Sequence, residues 1–126
     1  MLDIDHFKAI NDTMGHLAGD LTLRELASRL KSEICNDDLL ARYGGEEFVA
    51  VLTEADQAAA AEVAEKLRRT VEGLPFAFEG RPYPVTISLG VASIQGNEVP
   101  NPQELIQRAD ERLYQAKRGG RNRVVA

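Results

Sequence analysis

Tryptophan is missing from this sequence, cysteine occurs once, and no apolar run approaches the ~20 residues that a membrane-spanning helix needs. The lone Cys35 excludes an internal disulfide and fits a reducing compartment. The start, Met1-Leu2-Asp3-Ile4-Asp5, is too acidic and too short in apolar residues to be a secretion signal. Basic residues do not predominate: Lys and Arg total 15 against 20 Asp and Glu, a net charge of -5, which argues against a general nucleic-acid binder. A local basic cluster remains compatible with a phosphorylated small molecule. No Gly-x-x-x-x-Gly-Lys loop occurs, so an ordinary P-loop GTPase is excluded on motif grounds. Repeats, low-complexity tracts and linkers are absent too. The expectation is a soluble cytoplasmic domain with no nucleic-acid partner and no membrane contact of its own, although a parent protein could be anchored through segments outside it.

A hydrophobic fraction of 44% and a charged fraction of 28% over 126 residues suit one domain with one core rather than a disordered chain. Residues 1–5 read as the end of a strand, entering a short helix that carries Phe7, Ile10 and Met14. After a break that runs from Gly15 to Asp20, Asp20 reads as the cap of a second helix with Leu23, Leu26, Ala27, Leu30 and Ile34 on one face. Residues 39–43 and 48–52 form a hairpin around Gly44-Gly45-Glu46-Glu47, the glycines supplying positive φ. The Ala- and Glu-rich stretch 55–71 is a helix that ends before Pro75, Gly80-Arg81-Pro82 is a turn, and 85–92 is a strand. Pro102 opens a last helix in which Leu113 and Tyr114 are expected core residues; Gly119-Gly120 stops it, and Val124-Val125 adds a closing strand. This order implies a mixed sheet with helices against it, an α+β class.

Acidic residues stand where the backbone is tight: Asp3 and Asp5 at a strand end, Glu46 and Glu47 at a hairpin tip. If that strand lies beside the hairpin, the carboxylates converge on one sheet edge, where mutual repulsion calls for a cation. Hard oxygen donors select magnesium or manganese, and metal pairs about 3.5–4 Å apart are the standard device for displacement at phosphorus. An exposed acidic turn is the plain alternative for any one such motif.

Four motifs in order remove that alternative. Arg42-Tyr43-Gly44-Gly45-Glu46-Glu47-Phe48 resembles the signature of the GGDEF family of diguanylate cyclases. Leu2-Asp3-Ile4-Asp5-His6-Phe7-Lys8-Ala9-Ile10-Asn11-Asp12 through Gly15-His16-Leu17-Ala18-Gly19-Asp20 is similar to that family's first long motif. Ile87 to Ala92 resembles its late strand, and Ala109 to Lys117 with Gly120-Arg121-Asn122 resembles its C-terminal motif. Together they cover nearly the whole chain.

The resemblance implies a ferredoxin-like, palm-like α/β sandwich: a central, mostly antiparallel mixed sheet flanked by helices. It implies a homodimeric enzyme that joins two GTP molecules into cyclic di-GMP with two divalent metal ions per active site. By position, Asp3 and Glu46 would bind metal together with the backbone carbonyl of Ile4, and Glu47 would support the metal site or proton removal. Lys8, Lys117 and Arg121 match phosphate-contacting positions, with Lys8 counted among the catalytic residues. Asn11 and Asp20 match the guanine-recognising positions, and Phe7, His16, Gly44 and Gly45 belong to the substrate-binding set. Locally, Lys117 and Arg121 also suit the end of a helix dipole, and His16 a loop residue.

Two departures accompany the resemblance. The family's Arg-x-x-Asp inhibitory tetrad reads Cys35-Asn36-Asp37-Asp38 here: the aspartate is kept, but cysteine lacks the bidentate fork of arginine. Weak or absent product inhibition through this site is expected. Family members also carry a helix and a full first strand ahead of the position of Leu2. Residues 1–126 are therefore expected to be a single domain lacking that helix and most of the first strand, with apolar surface and unpaired backbone at the gap. The other readings open at this stage are an inactive module that binds GTP or cyclic di-GMP, a different palm-like nucleotidyl transferase, and a structural dimerisation domain.

Overall fold

The computed structural model describes residues 1–99 and 101–126. Chain order is β1 (Leu2–Ile4), α1 (Phe7–Met14), α2 (His16–Glu33), β2 (Leu39–Arg42), β3 (Glu47–Val51), α3 (Gln57–Gly73), β4 (Phe76–Phe78), β5 (Arg81–Tyr83), β6 (Ile87–Gly90), α4 (Pro102–Arg118) and β7 (Val124–Val125). The main sheet runs β2-β3-β1-β6-β7. Its centre, β1, is antiparallel to β3 on one side and β6 on the other, and only β7 joins in parallel. The class is α+β with a mixed sheet, as the order of elements implied.

Period-two alternation in the strands sorts residues between two environments. Leu2, Ile4, Phe48, Ile87 and Leu89 enter one apolar core with Leu23, Leu26 and Leu30 of α2 and Leu67 and Val71 of α3. The intervening positions, Asp3, Glu47, Ser88 and Gly90, are polar or small, and α4 packs across β6 and β7. Inside the core one polar pair satisfies itself: Thr22 Oγ1 and the Tyr83 hydroxyl are 2.7 Å apart.

Local capping explains the two long C-terminal helices. Asp56 accepts from the amide of Ala59 at the head of α3, and Asn101 accepts from Gln103 and Glu104 at the head of α4, where Pro102 fills a position whose N–H would have no partner. Asp20, by contrast, is not a cap. Helix α2 starts at His16 directly after Gly15 (φ 92°), so Asp20 lies inside it. Tyr114 is also not core: α4 buries Ala109, Leu113 and Ala116, while Tyr114 is 60% exposed with the Arg118 guanidinium against its ring. The turn expected near Gly80 belongs to a second, two-stranded sheet, β4–β5, joined by Glu79 and Gly80 at φ 50° and 77°, the geometry of a tight two-residue hairpin.

Pairing in the centre of the sheet includes Met1, whose amine donates to the Gly90 carbonyl at 3.0 Å while the Gly90 amide donates to Met1 O at 2.8 Å. Beside it an apolar cavity of about 330 Å³ opens, lined by Met1, Val49, Val51, Val91, Ile94 and Ile106 among others. No described helix is long and apolar enough to cross a membrane.

Gly90 sets the distance between sheet and helix. A Cβ there would overlap the Ala109 carbonyl and the Leu113 amide and lie 2.9 Å from the Arg112 carbonyl carbon, all backbone atoms that cannot rotate away. Gly90→Ala is expected to lower unfolding free energy by about 3 kcal/mol, at the upper end of overpacking effects. Urea denaturation measures it, and a loss under about 1 kcal/mol contradicts this account of the crossing.

Candidate active site at the edge of the central strands

The site begins with register. Asp3 is the Cα partner of Glu47 across the β1–β3 ladder, and the Ile4 amide donates to the Glu46 carbonyl at 3.3 Å. The strand therefore does lie beside the hairpin, and the backbones of Asp3, Ile4, Glu46 and Glu47 are neighbours. Helix α4 then brings Lys117 over the strand, and its Nζ donates to Asp3 Oδ2 at 2.6 Å.

Electrostatics follow from burial. Asp3 is 4% exposed. Desolvation raises its pKa, the Lys117 ammonium pulls it back, Asp5 adds to the rise and Arg121 opposes it. Glu46 is also raised, first by burial and then by the negative field of Asp3, with Lys117 working the other way and Glu47 adding to the rise. Asp3, Glu46, Glu47, Lys117 and Arg121 thus share one field. Glu46 and Glu47 have no side-chain hydrogen bond or ion pair among the described residues.

These groups fit a divalent cation. A buried carboxylate already carries an ammonium ion at 2.6 Å, so the position is one where positive charge is stabilised. Its neighbour Glu46 is a hard oxygen donor with no cation of its own, and the Ile4 backbone lies alongside. Among the described residues no three His, Cys, Asp or Glu side chains form a ready-made cage. The ligand set available is two carboxylates and a carbonyl.

Gly44 and Gly45 correct one expectation. Neither has positive φ. A Cβ on Gly45 would meet nothing within 4 Å, and one on Gly44 would make ordinary contact with Glu47 at 3.5 Å. Turn geometry therefore does not demand glycine here. The turn is held instead by Arg42, whose Nε lies 3.1 Å from Gly44 O and whose Nη2 lies 2.7 Å from Gly45 O.

A second group forms between α1 and α2. Gly19 is buried, and a Cβ on it would overlap Asn11 Oδ1 and lie 3.3 Å from Phe7 Cζ, so Asn11 and Phe7 both rest on this glycine. Lys8, His16 and Asp20 are exposed on the same two helices. Among the described residues their side chains have no hydrogen-bond partner, and no hydrogen bond or ion pair joins them to the carboxylates. Gly19 was not singled out from sequence; a glycine inside a helix, where it costs about 1 kcal/mol against alanine, is the signal.

Asp5 departs from the expected convergence. Its carboxylate accepts from Thr86, Ser88 and the Asn122 amide rather than facing Glu46. At the degenerate tetrad Cys35 is exposed, and Asp38 accepts from the amides of Thr53 and Cys35 at 3.0 and 3.1 Å and from the Thr53 hydroxyl at 3.3 Å. These bonds hold the Asp38 carboxyl below its ordinary range, the Thr53 amide contributing most.

The raised acids have a pH consequence. Native Asp3 and Glu46 hold their protons more tightly than the unfolded chain does, so they make stability fall as pH climbs from the ordinary carboxylate range, about pH 4, through their raised values. Glu46→Gln removes one acid and relieves the other. In metal-free buffer its melting temperature relative to wild type is expected to rise across that window. A difference independent of pH contradicts the assignment.

Comparison with known proteins gives the same direction. The family described as "Diguanylate cyclase, GGDEF domain" matches residues 1–123. The chain is 47% identical over 125 residues to diguanylate cyclase A of Treponema denticola, covering 99% of this chain and 33% of that protein. It is 50% identical over 127 residues to the response regulator PleD of Caulobacter vibrioides, covering 99% of this chain and 28% of that one. The chain thus spans about a third or less of these relatives. Among solved structures, the GGDEF domain of DgcB from Caulobacter crescentus in complex with c-di-GMP superposes with a TM-score of 0.92 at 38% identity, covering 99% of this chain and 74% of that one. With four sequence motifs, the sheet order and these matches in agreement, the chain belongs to the GGDEF family of diguanylate cyclases.

Proposed function

We propose that residues 1–126 form one catalytic domain that condenses two GTP molecules into cyclic di-GMP with release of two pyrophosphates. The observation that carries this reading is the buried Asp3 carboxylate beside Glu46, neutralised by Lys117 next to a turn that carries no side chain at Gly44 and Gly45. A turn that has no internal need for glycine leaves open backbone, which suits close approach of a nucleotide.

Magnesium or manganese, two ions per active site, held by Asp3, Glu46 and the Ile4 carbonyl, would supply Lewis-acid activation of the attacking hydroxyl and charge neutralisation at phosphorus. Lys117, Lys8 and Arg121 bind the triphosphate. Asp20 and Asn11 select guanine, since a carboxylate accepts from the N1–H and N2–H donors whereas adenine presents an acceptor at N1. Phe7 and His16 complete the substrate pocket. The 3′-oxygen of one GTP forms a bond to the α-phosphorus of the other, and the bond from that phosphorus to the pyrophosphate oxygen breaks. Pyrophosphate carries the electron pair away, and the hydroxyl proton passes to Glu47. A second attack in the reverse sense closes the ring. One domain holds one GTP, so two copies face each other about a two-fold axis, with no nucleic-acid partner and no membrane contact by this segment.

Incubation with GTP and magnesium should yield cyclic di-GMP on chromatography, while ATP yields no cyclic product. Rate per protomer should fall on dilution. Glu46→Gln should lower turnover by about 100-fold or more, as for other electrostatic groups at a reacting phosphate. Binding of GTP without any product contradicts the catalytic reading. In the same assay, micromolar cyclic di-GMP should not inhibit through Cys35 and Asp38, because cysteine lacks the arginine fork and Asp38 is already bonded within the chain. Potent inhibition that Asp38→Ala abolishes contradicts this.

A further inference from the structure

Asp5 is a buried carboxylate, 6% exposed, to which the proposed reaction gives no task. Its two oxygens take three hydrogen bonds from distant parts of the chain. Ser88 Oγ donates to Oδ1 at 2.6 Å, and Thr86 Oγ1 and the backbone amide of Asn122 donate to Oδ2 at 2.8 and 2.9 Å. The carboxylate thus joins the end of β1, the entry to β6 and the loop after α4. That loop is unusual: Arg121 and Asn122 are consecutive non-glycine residues with φ of 65° and 47°, a conformation that costs energy unless the surroundings fix it. Fixation comes from three sides. The Arg121 amide donates to Ala116 O at 3.0 Å, Asp5 holds the Asn122 amide, and the Asn122 side chain is gripped by Arg68 and Glu72 of α3. Arg121 is exposed on this loop, and its charge opposes the rise in the Asp3 pKa.

We propose that Asp5 is a positioning residue for nucleotide binding: by accepting from the Asn122 amide it holds the left-handed Arg121-Asn122 pair in place and so aims the Arg121 guanidinium at the substrate phosphates. This rests on the assignment of Arg121 to the phosphates made above. The sign of its effect is diagnostic. Removing a negative charge near a triphosphate strengthens binding if charge alone matters, because like charges repel. Removing a clamp weakens it.

The test is a double-mutant cycle on binding of a non-hydrolysable GTP analogue with magnesium, in wild type, Asp5→Asn, Arg121→Ala and the double variant. Asp5→Asn should weaken affinity about tenfold, as loss of supporting contacts around a site commonly does. That loss should vanish in the Arg121→Ala background, since a clamp has nothing to aim once the guanidinium is gone. Should Asp5→Asn not fold, Thr86→Val carries the same cycle: it removes one donor to the oxygen that Asn122 uses, with an expected loss of about threefold, again only when Arg121 is present. Tighter binding by Asp5→Asn, or a loss of equal size with and without Arg121, overturns the proposal. If Arg121→Ala itself binds as wild type does, the phosphate assignment fails and the clamp falls with it; if Arg121→Ala weakens binding and Asp5→Asn and Thr86→Val do not, the assignment stands and the clamp alone is refuted.

Discussion

A carboxylate in the middle of a sheet, nearly closed off from water, is the constraint around which the rest of this domain is arranged. Asp3 lies on the central strand with neighbours hydrogen-bonded on both sides, so its backbone cannot retreat toward solvent. Isolated burial of such a charge is strongly unfavourable, and the compensation has to come from a cation. Helix α4 supplies one by carrying Lys117 across the sheet, which requires the helix backbone to approach the strands closely, which in turn requires that β6 present no side chain at Gly90. One ion pair thereby links three separate elements of the sequence.

The same arrangement separates holding from reacting. Charged groups that the fold uses for itself are fully engaged: Arg29 bonds the carbonyls of Leu74 and Pro75, Arg68 spans Glu65 and Glu72, and Asp38 closes the turn ahead of β2. Glu46, Glu47, Lys8, His16 and Asp20 have no such employment among the described residues. Lys117 stands between the two classes. It belongs to the scaffold while it neutralises Asp3, and as a flexible point charge it can also serve a phosphate.

Much of this was legible in the chain. The Ala- and Glu-rich stretch 55–71 marks α3, Pro102 marks the head of α4, and the apolar runs on either side of Gly44-Gly45 mark the hairpin. Where the reading failed, the partner lay far away in sequence or the element was too short or too finely divided between faces to show a pattern. Asp20 is a good cap by type, but α2 runs through Gly19 because the glycine's bare face receives Asn11 and Phe7 from α1. Strands β4 and β5, three residues each, are too short to show a period. Tyr114 follows Leu113 directly and falls on the opposite side of the helix edge, exposed. Asp3 and Asp5 look alike in a local window; only partners more than 80 residues away separate the one that meets Lys117 from the one that ties down the Asn122 amide. The candidate site showed the same split: residue types, Arg42 among them, were visible in the motifs, while the hold of Arg42 on the turn was not.

That arginine gives the turn a direction. In a trans peptide the carbonyl and the following amide point opposite ways. With the oxygens of Gly44 and Gly45 both drawn toward the Arg42 guanidinium, the N–H groups of Gly45 and Glu46 are turned outward on the far side. The loop bearing two glutamates therefore offers two adjacent hydrogen-bond donors along its rim, a small patch of positive polarity built from main chain alone.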